Sequence, residues 1–424
     1  MDFIHELKWR GLFFDSTPGI EEHLKLSVRS GYVGFDPSAA SLHIGNLVQI
    51  MLLVHFQRAG HKPVALVGGA TGMIGDPSGK SEERNLLSEE TIRYNEKKIK
   101  EQLSKFLDFN TANNPATLAN NFDWFSKIHF LDFLRDVGKH ITINYMLAKD
   151  SVKNRLDNGI SYTEFSYQLL QGYDFFWLNQ HRGCTIQMGG SDQWGNITAG
   201  IELTRRKTGQ EVFAITSPLI TRDDGKKFGK SEQGNVWLDA SMTSPYKFYQ
   251  FWLNVSDDDA VRYLKIFTLM SHNEISALEA EHQQDPGQRI LQRALGKDIT
   301  TRVHSHNDYE AAVRAARILF GPSTEEELRA LSNRDFEEIF EGVPTKKLSR
   351  AIFDDGVEII QLLVDETSFF SSKGEARRTI NSRGASINKQ VISSELKVNS
   401  EHLINSRYLL LQKGKKNYFL VIAE

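Results

Sequence analysis

The stretch Tyr32-Val-Gly-Phe-Asp36-Pro-Ser38-Ala-Ala-Ser-Leu-His43-Ile-Gly45-Asn46 decides the fold. Its apolar run, Tyr32 to Phe35, stops at Asp36-Pro37, and a polar turn follows. An amphipathic segment from Asn46 to Ala59 then closes with Gly60 in the C-cap position, so the pattern reads strand, turn, helix. A second apolar run, Pro63 to Val67, comes at once. The unit is βαβ and predicts a parallel sheet, in which ligands sit beyond the carboxyl ends of the strands. His43 and Asn46 are three residues apart and share one face of the helix start. Unpaired N–H groups and the positive dipole end make that start a phosphate site. Gly45 lets a flat or bulky ligand approach the backbone.

A histidine near a helix start is usually ordinary, so neighbouring motifs carry the weight. Lys226-Lys227-Phe228-Gly229-Lys230-Ser231 lies in a polar loop after the apolar run Phe213 to Ile220. Paired lysines with a glycine and a serine suit the charge that develops on a polyphosphate, although Lys-Gly-Lys alone is also common in solvated turns. A glycine-rich segment, Gly68 to Ser81, follows the second strand. It is not a Walker A loop, because Gly75 to Gly79 encloses three residues where that motif needs four. Its glycines let a substrate lie against the backbone, and Asp76 offers a carboxylate. Lys80 and Arg84 suit a solvated loop and a phosphate contact equally.

Further along, Ser88-Glu-Glu90 caps a helix that runs to about Phe106. Residues 107 to 160 are mixed. Ser161-Tyr-Thr-Glu164 has the capping-box pattern and opens a helix to about Asn179. Tyr167, Gln171 and Asp174 share one face of it, which either meets water or lines a pocket that reads a small polar ligand. A short strand, Thr185 to Met188, ends in Gly189-Gly190-Ser-Asp192-Gln193 before another helix, which suits a sugar or phosphate against the backbone. From Ser244-Pro245 to about residue 331 the pattern is helical, with cap signals at Ser256-Asp-Asp-Asp and Ser271-His-Asn-Glu274, and 332 to 350 reads as a linker. Residues 351 to 424 read as a small separate domain, with Lys373, Arg377 and Arg378 on a helix and a terminal hairpin turning at Lys413-Gly-Lys415-Lys416. That basic character suits phosphate contact, or simply a charged, soluble tail domain.

The 424 residues imply two to four domains. Forty per cent hydrophobic and 25% charged residues can build sizeable cores. The net charge of −3 announces no nucleic acid globally, so any RNA site is a local basic patch. The single cysteine, Cys184, excludes an intramolecular disulfide and a cysteine-based zinc cluster. The acidic start resembles neither a signal nor a transit peptide, and no run is long enough to cross a membrane. The expected compartment is the cytoplasm.

His43-Ile-Gly-Asn46 and Lys227-Phe-Gly-Lys230-Ser231 resemble the two signature motifs of class I aminoacyl-tRNA synthetases. The whole chain resembles the bacterial-type tyrosyl-tRNA synthetase family, notably in Tyr32-Val-Gly-Phe-Asp-Pro, Gly69 to Gly79, Thr163-Glu-Phe-Ser-Tyr167 and Gly189 to Asn196. The resemblance implies an α/β fold with a Rossmann-like parallel-sheet catalytic domain over 1–243. An insertion at about 107–160 would form much of a homodimer interface. An all-helical anticodon-side domain over 244–331, the linker 332–350 and an α+β, S4-like RNA-binding domain over 351–424 would follow.

It also implies a two-step reaction. Tyrosine and ATP, with Mg2+, give tyrosyl-adenylate and pyrophosphate, and the tyrosyl group passes to the 3′-terminal ribose of tRNA(Tyr). No permanent metal or prosthetic group is implied. His43 and Asn46, with Ser38 beside them, would hold the ATP phosphate and ribose region. Lys227, Lys230 and Ser231 would close over the β- and γ-phosphates, with Lys80 and Arg84 as pyrophosphate helpers. Gly34, Asp36, Gly45, Gly190 and Asp192 would contact the nucleotide. Tyr32 and Asp174 would bond the phenol hydroxyl of tyrosine. Asp76, Tyr167 and Gln171 would bind its ammonium, and Gln193 its carboxylate. Lys373, Arg377, Arg378, Lys413, Lys415 and Lys416 would meet tRNA.

Asn46 stands where the family often has histidine, and Val33 where many relatives have a residue that touches the ribose. Three alternatives share features of this reading. The tryptophanyl family shares the fold and both motifs, and the Tyr32/Asp174 pair and the basic C-terminal domain argue against it. A catalytically inactive RNA-binding paralogue would not need His43, Lys227 and Lys230. A nucleotidylyltransferase of the same superfamily would need neither the helical nor the C-terminal domain.

Overall fold

The computed structural model describes the chain except residues 1, 79–86, 150–151, 154–158, 222, 224–227, 232–233, 321–323, 341–342 and 415–416. Contacts divide the chain into two units. The first comprises residues 1–243 and 251–305, the second 244–250 and 306–424.

The first unit is built on a six-stranded sheet. Its strands are β1 (Asp15–Ser16), β2 (Ser30–Phe35), β3 (Lys62–Val67), β4 (Thr117–Asn120), β5 (Cys184–Gly190) and β6 (Phe213–Ser217), in the order β1-β6-β5-β2-β3-β4. Neighbours pair in parallel from β6 to β4, as the βαβ reading requires. The two-residue edge strand β1 is antiparallel to β6. The chain leaves β2 for β3 on one side, while β5 lies on the other. Open parallel sheets bind ligands at such a switch point, which here lies beyond the carboxyl ends of β2 and β5.

The helix after β2, Leu47–Arg58, was expected to be amphipathic, yet Leu47, Val48, Ile50 to Phe56 are all buried. It packs on β2, β3 and β5 on one side and meets helices Phe3–Arg10 and Asp257–Phe267 on the other, so both faces need apolar residues. Ala59 is its C-cap, and Gly60 follows with φ +93°. Buried Arg10 donates to the carbonyl of Lys265 in the last turn of the Asp257–Phe267 helix and to those of Thr268 and Met270 beyond it, and pairs with Glu6 at 2.7 Å. The expected caps Ser88, Ser161, Ser256 and Ser271 each accept a backbone N–H of the first turn. The Ser88-capped helix ends at Leu103, short of Phe106, and the Ser161-capped helix runs on to Arg182, where Gly183 takes the left-handed conformation.

The second unit holds a five-stranded sheet in the order Gln390–Val391, Ala385–Ile387, Tyr408–Lys413, Asn417–Ala423, Thr345–Leu348. The expected hairpin is present between Tyr408–Lys413 and Asn417–Ala423. The stretch 332–350 is not a bare linker. It forms helix Asn333–Ile339 and the strand Thr345–Leu348, which pairs in parallel with the last strand. Phe336, Ile339 and Phe340 share one core with Tyr408, Leu410 and Leu420, so apolar burial joins this stretch to the terminal sheet. For the same reason the helical region 244–331 is no separate body: 251–305 group with the first unit and 306 onward with the second.

Candidate active site at the switch point of the sheet

The turn after β2 carries His43 as the N-cap of a 3-10 turn, Ile44–Asn46, that leads into the long helix. His43 N–H donates to Asn46 Oδ1 at 3.0 Å, and Gly45 N–H donates to His43 Nδ1 at 3.0 Å. Ile44 N–H donates to Val236 O and Asn46 N–H to His43 O. The four backbone amides of the turn, His43 to Asn46, are therefore engaged within the protein. What the motif offers instead is side chains. With Nδ1 accepting, a neutral His43 carries its proton on Nε2, and Asn46 keeps its amide N–H groups as donors. Gly45 is also explained differently from expectation. A Cβ there would lie 2.7 Å from His43 Cε1, so it is the imidazole itself that needs the space.

The second motif docks on the first. Gly229, with φ +92°, approaches so closely that a Cβ on it would lie 3.3 Å from Gly45 N. Val236 N–H donates to Gly229 O, Leu238 N–H donates to Leu42 O, and Trp237 bridges to His43. Phe228 is buried, its ring centroid 4.9 Å from that of Tyr263 and 5.2 Å from that of Phe267. An apolar anchor thus fixes one end of the lysine motif. Lys80, Arg84 and Lys227 lie outside the described residues, as do the side chains of Lys230 and Ser231.

On the helix Tyr162–Arg182, Tyr167 and Asp174 are buried and Gln171 is half-buried, so this face does not simply meet water. Asp174 is 2% exposed; its Oδ1 accepts from Trp124 Nε1 and its Oδ2 from Asn121 Nδ2, both at 3.0 Å. Burial raises its carboxyl well above the usual range, against the two hydrogen bonds that lower it. Tyr32 is buried on β2, and burial with the nearby Asp174 charge raises its phenol well above 10, so it stays a neutral hydroxyl. Among the described residues its Oη has no hydrogen-bond partner. An orphaned buried hydroxyl is costly unless a ligand meets it.

Asp36, expected at the nucleotide, is drawn to the Tyr167 side. It accepts from Tyr167 OH at 2.8 Å and from Thr71 Oγ1 at 2.7 Å. Asn121 links Thr71 to Asp174, joining the cluster into one network. Asp76 accepts from Gln193 Nε2 at 2.7 Å, from Ser78 N–H and from Asn196 Nδ2. Exposed Asp192 lies at the end of β5, its Oδ1 2.5 Å from where a Cβ on Gly190 would sit. Exposed Gly34 has open space around it, and exposed Ser38 donates its N–H to Asp36 O. Sequence reasoning missed Thr71, Asn121, Trp124 and Asn196. Asn121 and Trp124 follow a four-residue strand inside the stretch read as mixed, and only the fold brings them beneath Asp174.

In the second unit, Arg377 and Arg378 are exposed on helix Lys373–Asn381. Lys373 pairs with Asp365 at 2.8 Å, and Lys413 pairs with Glu375 at 2.5 Å, so both amines expected at RNA are held by carboxylates. Lys415 and Lys416 lie outside the described residues.

Residues 27–321 match the family of tRNA synthetases class I (W and Y), and residues 335–421 match the tyrosine–tRNA ligase SYY-like C-terminal domain. The tyrosine–tRNA ligase of Cytophaga hutchinsonii is 58% identical over 99% of both chains. That of Bacteroides thetaiotaomicron is 57% identical over the full length of both. Among solved structures, a C-terminally truncated mitochondrial tyrosyl-tRNA synthetase from Aspergillus nidulans is 31% identical, with a TM-score of 0.68, covering 75% of this chain and 94% of that one. A Plasmodium falciparum tryptophanyl-tRNA synthetase shares the fold at 13% identity, with a TM-score of 0.52, covering 79% of this chain and 88% of that one. With full-length relatives of this identity and a matched domain in each unit, the chain belongs to the class I tRNA synthetases (W and Y), among the tyrosine–tRNA ligases.

Proposed function

We propose that this tyrosine–tRNA ligase activates tyrosine in the crevice beyond β2 and β5, with the residue roles that follow. The observation that carries this assignment is the buried Tyr32 hydroxyl, without a partner among the described residues, beside the Asp174 carboxylate that Asn121 and Trp124 hold in place. A phenol hydroxyl entering there would accept from Tyr32 and donate to Asp174. A phenyl ring would leave both unsatisfied, and an indole, a donor only, could not accept from Tyr32. Tyr167, Gln171 and Asp76 would receive the α-ammonium, and Gln193 would reach the carboxylate.

The tyrosine carboxylate is ionised at neutral pH, so its attack on the α-phosphorus of ATP needs no general base. The bond from the α-phosphorus to the departing pyrophosphate breaks as the acyl-phosphate bond forms. The protein's tasks are alignment and stabilisation of the leaving charge. His43 and Asn46 would donate from their side chains to the phosphate and ribose region. Lys227, Lys230 and Ser231 would face the β- and γ-phosphates, with Lys80 and Arg84 assisting, and Asp192 would bind the ribose over Gly190. Magnesium would arrive with ATP. In the second step the terminal ribose hydroxyl of tRNA attacks the tyrosyl carbonyl, and AMP leaves.

We assign the second unit to tRNA binding of the S4 kind, with Arg377 and Arg378 among its exposed cations, and place the enzyme in the cytoplasm. We also infer a homodimer. Phe130, Leu131 and Ile143, all in the 107–160 insertion, are each more than 60% exposed, and a second copy of this chain would cover them. The reading is tested by incubating the protein with ATP and tyrosine, isolating it by gel filtration, and adding tRNA(Tyr). Co-eluting tyrosyl-adenylate that transfers to tRNA is expected; co-elution with tryptophan instead would overturn the pocket assignment.

A further inference from the structure

Two buried polar residues lie outside every role assigned above: Ser41, 4% exposed, and Gln102, 6% exposed. Ser41 precedes the His43 turn, and Gln102 sits near the end of helix Glu89–Leu103. Their hydrogen bonds are complete. Ser41 Oγ donates to Leu42 O at 2.7 Å and accepts from Gln102 Nε2 at 3.1 Å and from Asp239 N–H at 3.0 Å. Gln102 Oε1 accepts from Leu42 N–H at 2.9 Å. One hydroxyl proton and two lone pairs are thus all used, as are both ends of the amide that face the turn.

The pair stands where the two motifs are joined. Leu42 is the residue before His43, and Leu42 O also accepts from Leu238 N–H. Asp239 ends the segment, 236 to 239, that returns from the lysine motif along the His43 turn. Gln102 therefore grips one motif directly, and through Ser41 it grips the return of the other.

We propose that Gln102, acting through Ser41, is a positioning residue for adenylate formation. It sets the distance between the His43 imidazole and the lysine motif across the ATP phosphates. A leucine at 102 fills much the same volume but orphans Leu42 N–H and removes one of the bonds to Ser41 Oγ. The turn then drifts relative to the lysine motif, and displacements near 1 Å cost on the order of a hundredfold in aligned reactions. The tyrosine pocket is built on other elements, β2, Tyr162–Arg182 and Asn121.

The proposal rests on the function assigned above, and the test separates the two. Tyrosine-dependent exchange of labelled pyrophosphate into ATP is measured for the unaltered protein, Gln102→Leu, Gln102→Glu and Ser41→Ala. Single-turnover transfer from preformed adenylate to tRNA(Tyr) is measured alongside. For Gln102→Leu, exchange kcat is expected to fall about ten- to a hundredfold and KM for ATP to rise, with KM for tyrosine and the transfer rate within twofold. Gln102→Glu keeps the acceptor for Leu42 N–H and is expected to recover part of the loss; Ser41→Ala is expected to share the pattern with less lost packing. Unchanged exchange in folded Gln102→Leu, or equal loss in ATP, tyrosine and transfer parameters in all three variants, would overturn the positioning role. Failure of the unaltered protein to exchange would instead overturn the underlying reading.

Discussion

Replacing Asp174 by asparagine tests the pocket most sharply, because both carboxylate oxygens already have a defined task. Oδ1 receives Trp124 Nε1 and Oδ2 receives Asn121 Nδ2, each at 3.0 Å. An amide at this position turns one acceptor into a donor, so one of two buried N–H groups faces another N–H. That orphan costs about 1–3 kcal/mol of stability. The substrate loses a hydrogen bond to a charged acceptor, about 1.5–3 kcal/mol, or roughly ten- to 150-fold in kcat/KM for tyrosine. Phenylalanine has no hydroxyl to lose and is expected to keep its kcat/KM within about threefold, so selectivity collapses by nearly the whole factor. The assay is pyrophosphate exchange with each amino acid varied, with urea unfolding run alongside. An equal fall for both amino acids would mean general damage, and intact selectivity would mean that Asp174 does not read the hydroxyl. Either result refutes the reasoning.

Other consequences follow from the same geometry. Phe228→Ala removes the aromatic anchor of the lysine motif, a loss of about 3–5 kcal/mol of packing. It is expected to raise KM for ATP at least tenfold while equilibrium dialysis finds tyrosine binding unchanged; an equal loss of tyrosine binding would contradict the anchor role. His55 is fully buried, neither of its ring nitrogens has a hydrogen-bond partner among the described residues, and burial, then the neighbouring Arg10, Arg58 and Arg302, pushes its pKa down to about 2. The unfolded chain takes up this proton near pH 6.5 and the folded one does not. The stability present above pH 6.5 is therefore lost at about 1.4 kcal/mol per pH unit on acidification towards pH 2. His55→Leu is expected to flatten this slope in urea unfolding at pH 7 and pH 5, and an unchanged slope would assign the acid sensitivity elsewhere. A chain ending at residue 320 is expected to retain tyrosine-dependent exchange and lose tRNA charging; equal loss of both would end the division of labour between the units.

The nucleotide half of the fold was legible because its signals are local. Tyr32 to Phe35, Asp36-Pro37 and the run into Gly60 carry strand, turn and helix within thirty residues. Ser88, Ser161, Ser256 and Ser271 announce helix starts by capping chemistry alone. What stayed hidden depends on distant partners. Thr345-Lys-Lys-Leu348 has two lysines and no alternation, and becomes a strand only because the terminal hairpin offers it an edge. The edge strand β1 has two residues and the same explanation. In the site, the identities of Tyr32, Asp76, Tyr167 and Asp174 came from family resemblance, since spacing alone left their helix face ambiguous. The amides at the His43 turn were misjudged for a physical reason: a histidine N-cap and a returning segment at 236 satisfied them, and neither partner is visible from the helix pattern. Asn121, Trp124 and Gln102 are single residues in ordinary sequence surroundings, and only burial and their hydrogen bonds reveal their work.

The most direct measurement is amino-acid-dependent exchange of labelled pyrophosphate into ATP, without tRNA, across all twenty amino acids. The account predicts exchange with tyrosine and none above background with phenylalanine or tryptophan. Exchange with tryptophan, or with none of the twenty in folded protein that still binds RNA, would contradict it.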